Sequence, residues 1–227
     1  MIDWIVPALL SPLIFAIVTL IDKRVLSDFR IPLPSFNLFV GGSQGTFGLL
    51  IIVFNPLPDV SASIILGGLT VGALQGMGLV VMFWMLNRED PSRVVPAMQT
   101  SPIIVALLAW PIFGEALSAL QWFAVFMAVG AAFLVSINVN ADGGSPRFRP
   151  IYLILIFSAL TMATSQLLLK SITEDLSTTH TVALRGMGLF IVMWIIFARP
   201  ESIRGLVRFL KDPHLATWLI VSEAIMP

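Results

Sequence analysis

Seven long apolar runs, at residues 4–21, 36–54, 63–86, 94–113, 120–137, 151–169 and 182–198, constrain this chain more than any other feature. Each comes close to or exceeds the roughly 20 residues that a helix needs to cross the hydrocarbon core of a bilayer. In lipid the backbone has no water to bind, so a spanning segment must satisfy its own N–H and C=O groups, as a helix does. The runs are continuous rather than alternating, which argues against the other solution, a closed β-barrel. The expected fold is all-α, a polytopic helical membrane protein. An eighth run opens near residue 215 and is cut at Pro227, too short to cross. The expectation is a fragment or truncated product holding seven helices and part of an eighth.

Charge explains why lipid is required. Charged residues make up 11% of the chain and hydrophobic ones 57%. Soluble domains carry about 25% charged residues, so a water-facing surface cannot be built here unless lipid replaces water over most of it. Net charge is zero, and no basic patch points to nucleic acid. The chain has no cysteine, which excludes disulfides, thiolate metal sites and a cysteine nucleophile. His180 and His214 are the only histidines, and no His/Asp/Glu group shows metal-ligand spacing, so no metal and no cofactor are expected.

Turn chemistry separates the runs, as at Pro32 and Pro34, Asn55 to Pro58, Asn87 to Ser92, Gly114-Glu115 and Asp142 to Pro146. Short breaks imply antiparallel neighbours. No basic residue precedes the first run, so it reads as a retained span rather than a cleaved signal peptide. Lys23, Arg24, Arg30, Arg88, Arg93, Arg147, Arg149, Arg199, Arg204, Arg208 and Lys211 all follow odd-numbered spans, whereas only Lys170 follows an even one. The positive-inside rule places the basic loops in the cytoplasm and the N-terminus outside. The location expected is a bacterial inner membrane, crossed many times.

Small residues recur every fourth position: Gly41 and Gly45, then Gly68, Gly72 and Gly76, then Ala124, Ala128 and Ala132. Such stripes let helix backbones approach closely where lipid offers no hydrophobic drive. Packing within the bundle is the plain reading; a homodimer face or a substrate-lining path is the other. Pro102 sits well inside the fourth run, between Pro96 and Pro111, and predicts a kink, since proline removes a helix hydrogen bond.

A weak internal repeat is also present. At an offset of 147 residues, Ala16, Lys23, Val25 and Asp28 fall on Ala163, Lys170, Ile172 and Asp175; outside that register, the next spans compare loosely at Gln44-Gly45 and Arg185-Gly186. A unit with an odd number of spans, repeated, places its second copy upside down. Inverted repeats of this kind mark transporters with a site near the midplane.

Several motifs carry a resemblance. Asp90-Pro91-Ser92-Arg93-Val94-Val95-Pro96, Ser101-Pro102-Ile103-Ile104, Phe113-Gly114-Glu115-Ala116-Leu117-Ser118 and Gly130 resemble the later part of an EamA domain, best over residues 91–136. Arg185-Gly186 resembles the arginine of that family's second helix, and Ser222-Glu223 an opening of its eighth. The chain is thus similar to EamA-type transporters of the drug/metabolite superfamily. The resemblance implies two inverted five-helix repeats, ten helices in the full parent. The first unit would cover residues 1–138, a linker 139–150, and a partial second unit 151–227. It also implies both ends in the cytoplasm, which conflicts with the charge bias.

Polar groups inside spans are costly and are functional candidates by default. Arg185 reads as a ligand for an anionic substrate group or a buried carboxylate, or else as a side chain snorkelling from near its helix start. Glu223, the deepest carboxylate of the eighth run, could carry a coupling proton. Gln44, Gln75, Gln99 and Gln166 could line a polar cavity or form interhelical hydrogen bonds. Gly114 reads as a helix C-cap, with Pro102 and Glu115 as gating or structural residues. Gly41-Gly42-Ser43-Gln44-Gly45 matches G-x-S-x-G, but it lies in an apolar helix with no facing histidine, so a hydrolase is not expected. The chain lacks a Walker A loop, so no ATP hydrolysis is expected. The function expected is a secondary transporter of small metabolites or amphipathic compounds by alternating access, not an enzyme. The alternatives are a non-transporting fragment that needs a partner and a membrane-embedded enzyme.

Overall fold

The computed structural model describes residues 5–29, 31–89, 91, 94, 100–114, 117–136, 151–213, 216–217 and 219–220. Among them it is all-helical, with eight helices: α1 (Ile5–Ser27), α2 (Leu33–Phe54), α3 (Ala62–Leu86), α4 (Ser101–Phe113), α5 (Ala119–Ser136), α6 (Ile151–Ile172), α7 (Thr178–Phe197) and α8 (Pro200–Leu210). By length and composition α2, α3 and α7 can cross a membrane, and α4 and residues Ile156–Ile172 of α6 are shorter apolar helices. Large apolar side chains stand bare on the outside, among them Phe47, Leu66, Trp110, Phe126 and Ile195. Water does not tolerate an apolar exterior of that extent; lipid does.

The centre of the bundle is α7, wedged between α2 and α3. These two helices are neighbours in sequence but touch each other far less than each touches α7. Along the α2–α7 contact, Gly41 faces Met193, Gly45 faces Phe190 and Gly48 faces the Ala183 carbonyl, while Gly186 faces the Gln44 carbonyl. The order of these pairs shows that the helices run in opposite directions and cross near Gly45 and Gly186.

On its other side α7 runs parallel to α3. Gly68 faces Leu184, Gly72 faces the Arg185 carbonyl, and Gly188 faces the Leu69 carbonyl. A Cβ at Gly72 or Gly188 would overlap those carbonyl oxygens, so the two backbones touch directly. Helix α6 runs antiparallel to α3 and is tied to it by two serines one heptad apart: Ser158 donates to the Gly78 carbonyl (2.8 Å) and Ser165 to the Val71 carbonyl (2.9 Å). Each such interhelical bond contributes about 1 kcal/mol. Ala124 and Gly130 of α5 behave otherwise. Ala124 is exposed, and a Cβ at Gly130 would meet nothing within 4 Å.

Two apolar clusters close the ends of this frame. One joins Val25 and Leu26 of α1, Phe36 and Val40 of α2, Met82, Phe83 and Leu86 of α3 and Met193 of α7, with Phe36 and Phe83 edge-to-face at 4.9 Å. The other joins Val71, Ile172, Leu176 and Leu184. The first lies at the basic end. Lys23 caps the C-terminus of α3 there, donating to the carbonyls of Leu86 (2.7 Å) and Glu89 (3.0 Å). Helix α8 joins the same end, where Ser35 donates to the Ser202 carbonyl (2.9 Å).

His180 locks the opposite end. Its Nε2 lies 3.1 Å from the carbonyl of Asn55, the residue that ends α2, and its Nδ1 lies 2.8 Å from the hydroxyl of Ser177, the N-cap of α7. A carbonyl can only accept, so Nε2 carries the hydrogen and Nδ1 accepts from Ser177. Substituting His180→Ala removes both bonds, and the expected cost is about 2 kcal/mol. Thermal unfolding in detergent should show it as a fall of about 4–8 °C.

Three helix boundaries differ from the sequence expectation. Helix α1 continues through the charged triplet to Ser27 rather than ending at residue 21. Helix α7 starts at Thr178 rather than 182, because Ser177 caps it by accepting from the His180 N–H. Helix α4 starts at Ser101, so Pro102 lies in its first turn, where the missing N–H falls among groups that a helix leaves unpartnered; the part of the fourth run before it, residues 95–99, lies outside the described residues. The proline inside α4 is Pro111.

Candidate functional site

Three of the polar candidates sit near the middle of the central helices: Gln44 on α2, Gln75 on α3 and Arg185 on α7, all half-buried. The α2–α7 crossing brings the first and last together, since Gly186 packs on the backbone of Gln44. Both Gln44 and Arg185 are engaged with partners inside the molecule. With α7 starting at Thr178, Arg185 is the eighth residue of a 20-residue helix. It therefore lies about 10 Å from the helix start, a third of the way along a span some 30 Å long. Snorkelling to an interface is harder from that depth than from one turn inside, and a guanidinium held there favours an anionic or strongly accepting group beside it. Its own carbonyl is packed against Gly72, so the backbone beneath the side chain is fixed.

The other candidates are placed differently. Gln166 is exposed on α6, and Pro102 is exposed in the first turn of α4. Gly114 ends α4 in the left-handed region, at φ 69°, with its N–H donating to the Trp110 carbonyl at 2.9 Å. A Cβ there would meet nothing within 4 Å, so the backbone angle alone demands glycine. Gly114→Ala is expected to cost about 1 kcal/mol, checked by the same thermal unfolding. Gln99, Glu115 and Glu223 lie outside the described residues. Gly68 and Gly72 face α7 closely, and Gly76 rests on Leu189 at ordinary contact distance. Among the described residues no group of three His, Asp or Glu could hold a metal ion.

Asp22 was missed by sequence reasoning. It is only 4% exposed, yet it follows an apolar run and reads as the start of a loop. The signal was its register: Val18, Asp22, Val25 and Leu26 share one helix face, and all four are buried. Asp22 too is engaged with a partner. Buried Ser158, Thr161 and Ser165 on α6 were also missed; they serve the α3–α6 contact and the α6 backbone.

A family model described as the EamA-like transporter family matches residues 3–137, which span α1 to α5. The chain belongs to the EamA-like transporter family. No curated protein and no solved structure matches it. As a member of that family, this EamA-like chain is a membrane transporter of the drug/metabolite superfamily.

Proposed function

We propose that this EamA-like protein is a secondary transporter that carries small metabolites or amphipathic compounds across a bacterial inner membrane by alternating access, as an exporter or permease. The observation that carries the reading is Arg185, a cation half-buried inside α7 where that helix crosses α2. Burying a guanidinium in a span is costly, and a substrate acceptor or partner carboxylate would offset that cost. Gln44 and Gln75 supply uncharged donors and acceptors at similar depth. A substrate with one anionic or strongly accepting group and an apolar body fits this chemistry. The charge distribution supports a cytoplasmic location for the end that carries Lys23, Arg88 and α8.

The test is transport by the purified chain in liposomes. A panel of labelled amino acids, organic anions and amphipathic compounds would be offered with and without a pH gradient. Accumulation of at least one class, saturable and dependent on Arg185, is expected. If no solute moves in either condition, the reading is wrong.

A further inference from the structure

A groove of about 460 Å³ runs down the outside of the bundle between α2, α7 and α8. Its walls include Phe39, Phe47, Leu50, Trp194, Leu206 and Leu210, and among the described residues none of the polar transport candidates lines it. Phe47 and Leu50 are about half exposed, so the groove opens towards lipid. The hydroxyls on its floor are already committed: Ser43 donates to the Val40 carbonyl (2.8 Å) and Thr46 to the Gly42 carbonyl (2.7 Å). The Trp194 Nε1 is buried with no hydrogen-bond partner among the described residues. It lies three residues from the end of α7, at the depth where phospholipid ester groups begin. From Leu38 to Leu50 the groove follows α2 for about 18 Å, close to the thickness of one leaflet's hydrocarbon.

Helix α8 closes the upper end of the groove. Ser202 is buried against α2, and Leu206 and Leu210 form the lid. Ile203, Val207 and Leu210 make an exposed apolar stripe on one flank. Glu201, Arg204, Arg208 and Lys211 recur at helical spacing on the opposite, exposed face. A helix with an apolar flank and a basic outer face lies in the membrane interface, not across it. Around it, Arg24, Arg88 and Arg199 add further positive charge at the same end, against Asp28, Glu89 and Asp212. The end of the bundle at which the apolar groove has its mouth therefore carries net positive charge, and α8 presents part of it directly beside the groove.

We infer that this groove binds an anionic phospholipid, with an acyl chain along α2 and the phosphodiester headgroup held by the basic face of α8. The apolar walls take the chain, and the charge at the mouth selects the headgroup. Rotation of the Trp194 indole towards the groove would give its N–H an ester carbonyl. Each basic residue near a membrane surface strengthens an anionic lipid contact severalfold.

The purified full chain in neutral detergent would be titrated with dioleoylphosphatidylglycerol and, separately, with dioleoylphosphatidylcholine. Thermal stability and retained lipid, the latter by native mass spectrometry, are the readouts. The anionic lipid is expected to stabilise more and to be retained preferentially. The exposed pair Arg204→Gln and Arg208→Gln should lower that preference about thirtyfold. Thr46→Trp, an exposed position on the groove floor, should abolish retention of both lipids. Equal effects of the two lipids, or an unchanged preference in both variants, would overturn the proposal. So would a dimer by size exclusion that disappears in Thr46→Trp, because a second copy would then be the occupant.

Discussion

Gly72→Ala is expected to lower the unfolding temperature by about 6–12 °C, equivalent to about 3 kcal/mol. Alanine is normally the better helix former by about 1 kcal/mol, so the sign of the effect runs against propensity. The reason is the α3–α7 contact. A methyl group at position 72 would overlap the Arg185 carbonyl and approach the backbone of Leu189 (2.8 Å to its N). A flexible side chain could rotate away, but a helix backbone can only retreat as a whole. That retreat also loosens the neighbouring contact of Gly188 on Leu69. Gly130→Ala supplies the control, since its Cβ would stand in open space; a change within about 0.5 kcal/mol is expected there. Thermal unfolding of both variants in detergent, followed by circular dichroism, decides the matter. Equal behaviour would mean that α3 and α7 do not touch as described.

The second large effect concerns transport. Arg185→Gln should leave the fold intact, because the α7 backbone at that position is packed closely at Gly72 and Gly186. It should reduce transport of an anionic or strongly accepting substrate by about 10- to 100-fold, the worth of one charged hydrogen bond. Arg185→Lys keeps the charge but loses the planar fork, so a partial loss is expected. Proteoliposome uptake gives the rate, and the unfolding temperature reports on the fold. Wild-type transport by Arg185→Gln would make the residue structural. A loss of fold with the loss of transport would mean that its engaged partner is a bundle contact.

Much of this frame was legible in the sequence because lipid imposes simple rules. Among the described residues each of the seven apolar runs holds a helix, and their continuity argued against a barrel. What was not legible lay where polar residues behave contrary to composition. Asp22 and Lys23 read as the end of a span, yet one is buried and the other caps α3, carrying α1 on to Ser27. Arg204 and Arg208 read as loop charges, although with Ser202, Leu206 and Leu210 they form an interfacial helix. The candidate site was legible in kind only. Gln44, Gln75 and Arg185 were visible as polar residues in apolar surroundings, but their common depth, and the outward placement of Gln166, follow from tertiary packing.

The position of α7 also has a bearing on how the molecule is made. It is the wedge between α2 and α3, yet it leaves the ribosome roughly ninety residues after α3, about 5–20 s later at ordinary translation rates. For that interval the glycine-lined slot between α2 and α3 stands open in the nascent chain. Whatever fills it meanwhile, whether lipid or an insertion chaperone, must yield to α7 at the end. Assembly of this protein is thus a problem of timed displacement as much as of packing.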